Sequence, residues 1–319
     1  MSKVYIARPI PEIGISLLKE KFEVEVNPEN KVLSKEELKE AVKGTDAILS
    51  LLTDKIDREV FDAAGNQLKI VANYAVGFDN IDVESAHQKN VMVTNTPGVL
   101  TEAVAEHAIT LMLSVAKSII EADKYIREGE YKQWEPMGFL GPQITGKTLG
   151  VVGLGRIGSM VAKIGHSGLG MNVLYYDVKK NEDFEKDVDA KFSELDEVLK
   201  NSDFVSIHVP LLPSTKHLIN KEKFSLMKKT AILINTSRGP VVDESALIEA
   251  LKSKQIWGAG LDVFENEPEL IPGLADLPNV VLTPHTASAT IEARDAMSKM
   301  CAENIIAALS GQTPPNLVK

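Results

Sequence analysis

One stretch constrains this chain more than any other: Gly153-Leu154-Gly155-Arg156-Ile157-Gly158, a G-x-G-x-x-G run. The pattern alone is common, but its surroundings are not. An apolar strand over 148–153 precedes it, and helical spacing follows over 157–165. A second apolar run, 172–176, leads into Asp177, at the spacing of about 20 residues that a βαβ dinucleotide fingerprint requires. Gly153 permits the tight turn, Gly155 lets the backbone approach a pyrophosphate, and Gly158 lets helix and strand pack closely. The helix N-terminus then offers free N–H groups to phosphate. Asp177 would accept hydrogen bonds from both ribose hydroxyls and repel a 2′-phosphate, so the expected cofactor is NAD(H), with NADP(H) less favoured. Lys179 and Lys180 pull against that preference. Residues 141–148 also fit the phosphate-loop pattern G-x-x-x-x-G-K-[ST], which needs a strand before it and a helix after it. Here a strand follows instead, so that motif is rejected.

The same alternation runs through the rest of the chain. Residues 4–7, 22–26, 47–52, 70–75 and 91–94 read as strands, with helical spacing over 13–21, 35–42, 58–63 and 83–87. A second series has strands at 148–153, 172–176, 204–209, 231–235, 258–263 and 280–282. Its helices fall at 157–165, 194–199, 221–227 and 244–251, and a last amphipathic helix spans 290–309. Between the two series, 101–128 reads as one long helix, capped by Thr101 and stopped at Gly129. Its apolar middle, 108–120, predicts burial, as a domain connector or against a second subunit. Strand–helix alternation implies parallel sheets covered on both faces, hence an α/β fold with two Rossmann-like, doubly wound units. A length of 319 residues accommodates two such domains.

A net charge of −10 argues against nucleic acid or an anionic membrane as partner. The single cysteine, Cys301, excludes an internal disulfide and suits a reducing compartment. No signal-like start and no bilayer-length apolar run is read, so the expected location is the cytoplasm.

In open α/β sheets, ligands bind beyond the carboxyl ends of the strands. The polar residues there are Asp177, His208, Thr236, Ser237, Arg238, Asp262, Glu267, Thr283 and His285. Arginine can fork onto a carboxylate and polarise a carbonyl. Histidine is the usual acid or base near neutrality, and a neighbouring carboxylate holds its orientation. The set suits reduction of a 2-keto acid by a bound nicotinamide. Among the other histidines, His87, His166 and His217 read as surface or packing residues and His107 as core. No histidine–cysteine–carboxylate group has metal-ligand spacing, so no metal is expected.

With these residues in place, the chain resembles the D-2-hydroxyacid dehydrogenase family, and within it the glyoxylate/hydroxypyruvate reductases. The resemblance covers nearly the whole chain. It is carried by Asn73-Tyr74-Ala75-Val76-Gly77-Phe78-Asp79-Asn80-Ile81-Asp82, the glycine turn, Asn235-Thr236-Ser237-Arg238-Gly239, 260–268 (GLDVFENEP) and Thr283-Pro284-His285-Thr286-Ala287-Ser288. It implies a discontinuous substrate-binding domain, 1–98 with 288–319, an NAD-binding Rossmann domain, 99–287, and a homodimer. It implies Arg238, Glu267 and His285 as the catalytic set. The substrate, a small anionic 2-keto or 2-hydroxy acid, would be held by Arg238, His285, the main chain of Val76 and Gly77, and the loop at Leu52. The implied cofactor positions are Val76, Thr101, Gly153, Gly155, Arg156, Ile157, Gly158, Asp177, His208, Val209, Pro210, Thr215, Thr236, Ser237, Asp262, His285 and Ala287. Within the same resemblance stand D-3-phosphoglycerate and D-lactate dehydrogenases and, as a different class, an NAD-sensing co-repressor-like interaction protein.

Overall fold

The computed structural model describes residues 1–318. In chain order the elements are β1 (Lys3–Ile6), α1 (Glu12–Lys19), β2 (Glu23–Val26), α2 (Lys35–Ala41), β3 (Ala47–Ser50), α3 (Arg58–Ala64), β4 (Ile70–Asn73), α4 (Val83–Gln88) and β5 (Met92–Thr94). There follow α5 (Thr101–Ala116), α6 (Ile119–Arg127), β6 (Thr148–Val152), α7 (Arg156–Lys163), β7 (Asn172–Tyr176), α8 (Glu182–Val188), β8 (Lys191–Phe192), α9 (Leu195–Asn201) and β9 (Phe204–Ile207). The chain closes with α10 (Lys221–Leu226), β10 (Ile232–Asn235), α11 (Glu244–Lys252), β11 (Gly258–Leu261), β12 (Val280–Leu282) and α12 (Ile291–Leu309). Contacts divide the chain into two units: Met1–Leu100 together with the chain from Ala289 onward, and Thr101–Ser288.

The first unit holds a five-stranded parallel sheet in the order β2-β1-β3-β4-β5. This is the shorter doubly wound order, with its reversal between β1 and β3. The central strands β3 and β4 are buried at every position, as expected where helices cover both faces. Helices α2, α3 and α4 start on side-chain caps: a full Ser34–Glu37 capping box on α2, Asp57 on α3 and Asp82 on α4. The last helix, α12, returns to this unit. Ser298 Oγ donates to the Pro11 carbonyl and accepts from the Gly14 N–H, and Tyr74 Oη donates to the Arg294 carbonyl. After α12 the chain adds to the free edge of β5, where Val318 N–H donates to the Val93 carbonyl at 2.8 Å.

The second unit holds a seven-stranded parallel sheet, β12-β11-β10-β9-β6-β7-β8. Counted from β6 this is the Rossmann order with one added strand, and it reverses between β6 and β9. Successive strand residues feed opposite cores. Leu149, Val151, Tyr175, Phe204 and Ile234 pack with Leu111 and Met112 of α5. Val152, Val205, Ile207, Leu233 and Leu261 pack with Leu247 and Leu251 of α11. The order places the carboxyl ends of β6, β7, β9, β10, β11 and β12 on one edge, with the turn after β6 at the reversal.

Two expectations need correction. The single helix over 101–128 is two helices, bent by 63°. Ser118 adopts a left-handed conformation (φ 48°), and the chain at Gly141 crosses the end of α5. A Cβ on Gly141 would lie 1.9 Å from the Ala116 carbonyl oxygen, so the crossing chain takes the space a continuing helix would fill. Burial stops at the same place: α6 has no buried residue, and Ile119, Ile120 and Ile126 are each about half exposed. The unread elements are α8 and β8. Acidic residues dominate α8, and only Phe184 and Val188, one turn apart, reach the core. No single helix among the described residues is long and apolar enough to cross a membrane.

Candidate active site

The turn after β6 has the form a dinucleotide needs. Gly153 sits at φ +98°, donates its N–H to the Tyr176 carbonyl, and lies where a Cβ would meet the His208 carbonyl carbon at 2.8 Å. At Gly158 a Cβ would lie 2.0 Å from the Gly153 oxygen, so helix and strand close only on glycine. Around Gly155 there is nothing within 4 Å of an added Cβ. That open space lies in front of the first turn of α7 (Arg156, Ile157, Gly158), which carries no side-chain cap. Asp177 is fastened beside it, with Oδ2 accepting from the Leu154 N–H (2.6 Å) and Oδ1 from the Val178 N–H (2.7 Å). A carboxylate has about four acceptor positions, so capacity remains for ribose hydroxyls. The Thr236 hydroxyl is buried with no hydrogen-bond partner among the described residues. An open glycine cradle, an uncapped helix start, a fixed carboxylate and an orphaned hydroxyl on one sheet edge fit a dinucleotide.

Other positions on that edge are spent on the loops themselves. Thr215 Oγ1 donates to the Pro210 carbonyl and accepts from the Leu212 N–H, shaping the turn after Val209. His208 Nε2 pairs with Ser206 Oγ at 2.8 Å, and burial pushes its imidazole down to about 3, so the ring is neutral at pH 7. Ser237 N–H and Oγ both donate to Asn235 Oδ1, while Asn235 Nδ2 donates to the Arg238 carbonyl. Thr101 is buried at the start of α5.

The loops after β10, β11 and β12 converge. A Cβ on Gly239 would lie 1.9 Å from the Phe264 carbonyl, so the Arg238 loop presses directly on the 264–267 loop. Arg238 Nη1 donates to the Ser237 carbonyl at 2.8 Å. Glu267 Oε1 accepts from the Phe264 N–H at 3.0 Å, which aims Oε2 at His285 Nδ1, 2.8 Å away. Behind this pair, Glu244 Oε1 accepts from the Glu265 N–H and Glu265 Oε1 accepts from the Glu244 N–H, a reciprocal brace on the loop. Glu265 Oε2 also meets His217 Nε2 at 3.2 Å. Burial pushes the Glu244 carboxyl up; the Glu265 N–H opposes this, and the Glu265 and Glu267 carboxylates push it further up.

Asp262 is fully buried. Its carboxylate accepts from Thr283 Oγ1 (2.6 Å) and from the N–H groups of Thr286 and Ala287 (both 2.8 Å). Burial alone would raise this carboxyl; the His107 imidazole beside it and hydrogen bonds from Thr283, Thr286 and Ala287 outweigh it and hold the group below the usual carboxylate range. His107 is thus not a core histidine. Its Nε2 lies 3.0 Å from Thr283 Oγ1 and 3.4 Å from Asp262 Oδ1.

In the first unit, Leu52 and the Val76–Gly77 pair lie on the loops after β3 and β4. The amides of Val76 and Gly77 donate to no acceptor among the described residues. Two asparagines hold these loops. Asn80 Nδ2 donates to the Leu51 and Asp54 carbonyls (3.0 Å each), and Asn73 Nδ2 donates to the Gly77 carbonyl (2.8 Å) and to Asn80 Oδ1 (3.1 Å).

Residues 109–287 match the model of the D-isomer specific 2-hydroxyacid dehydrogenase NAD binding domain. The chain belongs to the D-isomer specific 2-hydroxyacid dehydrogenase family. This dehydrogenase is 51% identical to a glyoxylate reductase of Pyrococcus furiosus, over 99% of this chain and 95% of the relative. It is 53% identical to one of Thermofilum pendens, over 99% and 94%. Among solved structures, a Thermus thermophilus protein aligns with a TM-score of 0.93 at 43% identity, covering 99% of this chain and all of the other. An NADPH-dependent glyoxylate/hydroxypyruvate reductase of Sinorhizobium meliloti, in complex with NADP and malonate, aligns at 0.86 with 32% identity, covering 99% and 96%.

Sequence reasoning gave no role to three groups of this dehydrogenase. Asn73 and Asn80 stand inside the recognised motif but act on the main chain, which no side-chain survey weighs. The Glu244–Glu265 brace and the His107 contact join residues distant in sequence, and no local spacing announces them.

Proposed function

We propose that this dehydrogenase reduces a small 2-keto acid, glyoxylate or hydroxypyruvate, to the D-2-hydroxy acid with NADH. The observation that carries the reading is the 2.8 Å Glu267–His285 pair on the sheet edge that also holds the glycine turn. A dinucleotide held by its pyrophosphate at that turn would supply hydride from its nicotinamide to the carbonyl carbon. His285 Nδ1 is engaged by Glu267, which leaves Nε2 to give its proton to the carbonyl oxygen. Glu267 fixes the ring and offsets the charge of the protonated imidazole. Arg238 forks onto the substrate carboxylate and polarises the carbonyl. The free amides of Val76 and Gly77 take the carboxylate, and Leu52 limits the side chain. In this reading the second unit binds the cofactor and bears Arg238 and the proton donor His285, and the first unit contributes to substrate binding.

Asp177 favours NADH over NADPH. Of the two lysines that argued otherwise, Lys180 is turned towards Glu185 (3.1 Å) and Glu182 (3.7 Å), which leaves Lys179 alone to attract a 2′-phosphate. The working form in this reading is a homodimer in the cytoplasm, without nucleic acid or membrane partners. The apolar but exposed face of Ile119, Ile120 and Ile126, with Trp134 and Met137 beyond it, supports a second copy as the covering partner. A cavity of about 630 Å³ opens beside Ser118, walled by Val115, Leu251, Ile256, Trp257 and Val280.

Steady-state rates with glyoxylate, hydroxypyruvate, pyruvate and phosphohydroxypyruvate, each with NADH and NADPH, test the proposal. Glyoxylate or hydroxypyruvate with NADH should give the highest kcat/KM. Inertness towards all four would overturn it.

A further inference from the structure

We propose that His107 is a positioning residue for His285, acting through Thr283 and Asp262. The inference rests on the reading of His285 as proton donor. The Thr283 hydroxyl has one proton, and its shortest contact is with Asp262 Oδ1 at 2.6 Å. Its lone pairs then face His107 Nε2 at 3.0 Å, so His107 carries its proton on Nε2 and donates it. The relay runs from His107 through Thr283 to the Asp262 carboxylate.

Asp262 is the hub of the turn that carries His285. Its carboxylate takes the N–H groups of Thr286 and Ala287, and its main-chain carbonyl takes the N–H of His285 at 2.9 Å. Residues on both sides of the imidazole are thus fastened to one buried aspartate. They need to be, because His285 stands at φ +53°, a left-handed conformation that persists in a side-chain-bearing residue only when its surroundings over-determine it. His107 is the member of the hub that comes from a distant element. It is carried on α5, which packs on the sheet with Leu111 against Gly260. It ties the strand-end turn to a buried helix rather than to another loop. Without it, Thr283 loses a donor and the buried carboxylate loses the imidazole 3.4 Å from its Oδ1. The turn is then free to shift, and a displacement near 1 Å at a reacting group costs on the order of 100-fold in rate.

The test uses His107→Leu and His107→Gln in the full-length enzyme, each also built into a His285→Ala background. His107→Leu should lower kcat for glyoxylate reduction by roughly 10- to 100-fold with little change in KM. His107→Gln places an amide donor near the lost nitrogen and should restore most of the rate. In the His285→Ala background the leucine substitution should change nothing, because there is no imidazole left to position. An unchanged kcat, or the same fold loss in that background, overturns the proposal. If His107→Leu does not fold, Thr283→Val breaks the relay instead and should give the same pattern. Long-range ¹H–¹⁵N imidazole spectra of the protein without cofactor give a reading independent of turnover. The His285 Nδ1 signal should be sharp and hydrogen-bonded in the parent and shifted or broadened in the variant, and identical spectra contradict the role. If the parent turns over no 2-keto acid, the proposed function fails, and the spectra still decide the positioning.

Discussion

At the carboxyl edge of the second sheet the proposed site is built from side chains: the Asp177 carboxylate, the Arg238 guanidinium and the Glu267–His285 pair. At the same edge of the first sheet they are main-chain amides, Val76 and Gly77, on a loop held by Asn73 and Asn80. Each arrangement needs a different kind of support. Side chains proposed to move protons or choose a cofactor need a rigid origin and one aligned partner, which Asp262 and Glu267 supply. Amides proposed to receive a carboxylate need a frozen loop, which the Asn73 and Asn80 carboxamides supply by satisfying its carbonyls. Damage at Asp177 should therefore appear in cofactor affinity, and damage to the Asn80 brace in stability and substrate KM.

Asp177→Ala should show the larger effect. Hydrogen bonds to a charged group contribute about 1.5–3 kcal/mol, so NADH affinity should fall roughly 10- to 100-fold, read by fluorescence titration. Discrimination against NADPH should fall with it, while the KM for glyoxylate stays near its parent value.

Asn80→Ala should reverse that pattern. It strips donors from the Leu51 and Asp54 carbonyls and should cost about 1–3 kcal/mol, seen in thermal unfolding. The substrate KM should rise while NADH affinity is kept. Equal losses of substrate and NADH affinity would break the distinction between the two edges.

The smallest effect is electrostatic. Glu244 has its carboxyl raised in the folded protein, so the native state holds a proton that the unfolded chain releases above about pH 4.3. Its contribution to stability therefore declines as pH rises through the folded value. Glu244→Gln keeps the acceptor for the Glu265 N–H and removes the charge. The parent's stability should decline more than the variant's between pH 4 and 8 in calorimetry. Parallel curves would remove Glu244 as a source of strain on the Glu267 loop.

The two edges were unequally legible in the sequence, for the same physical reason. Side-chain chemistry at strand ends can be read from residue type and spacing, so Arg238, Glu267 and His285 emerge together once parallel strands are assigned. The glycine turn is legible because steric exclusion is absolute: Gly153 and Gly158 tolerate no Cβ. What stayed hidden depends on contacts between distant segments. His107 reads as core because it sits in an apolar helix, and only the fold brings Thr283 against it. The bend at Ser118 was hidden because a crossing chain at Gly141 causes it, not a helix-breaking residue. The Asn80 brace was hidden because it serves carbonyls, which every residue has.

The most direct test of the central proposal, that His285 held by Glu267 is the proton donor, is kcat for glyoxylate reduction in the parent, in Glu267→Gln, in His285→Ala and in the double variant. Glu267→Gln removes the carboxylate that orients the ring from 2.8 Å at Nδ1. The account predicts a lower kcat in each single variant and no further loss when Glu267→Gln is added to His285→Ala. An unchanged kcat in Glu267→Gln, or a further loss in the double variant, would contradict it.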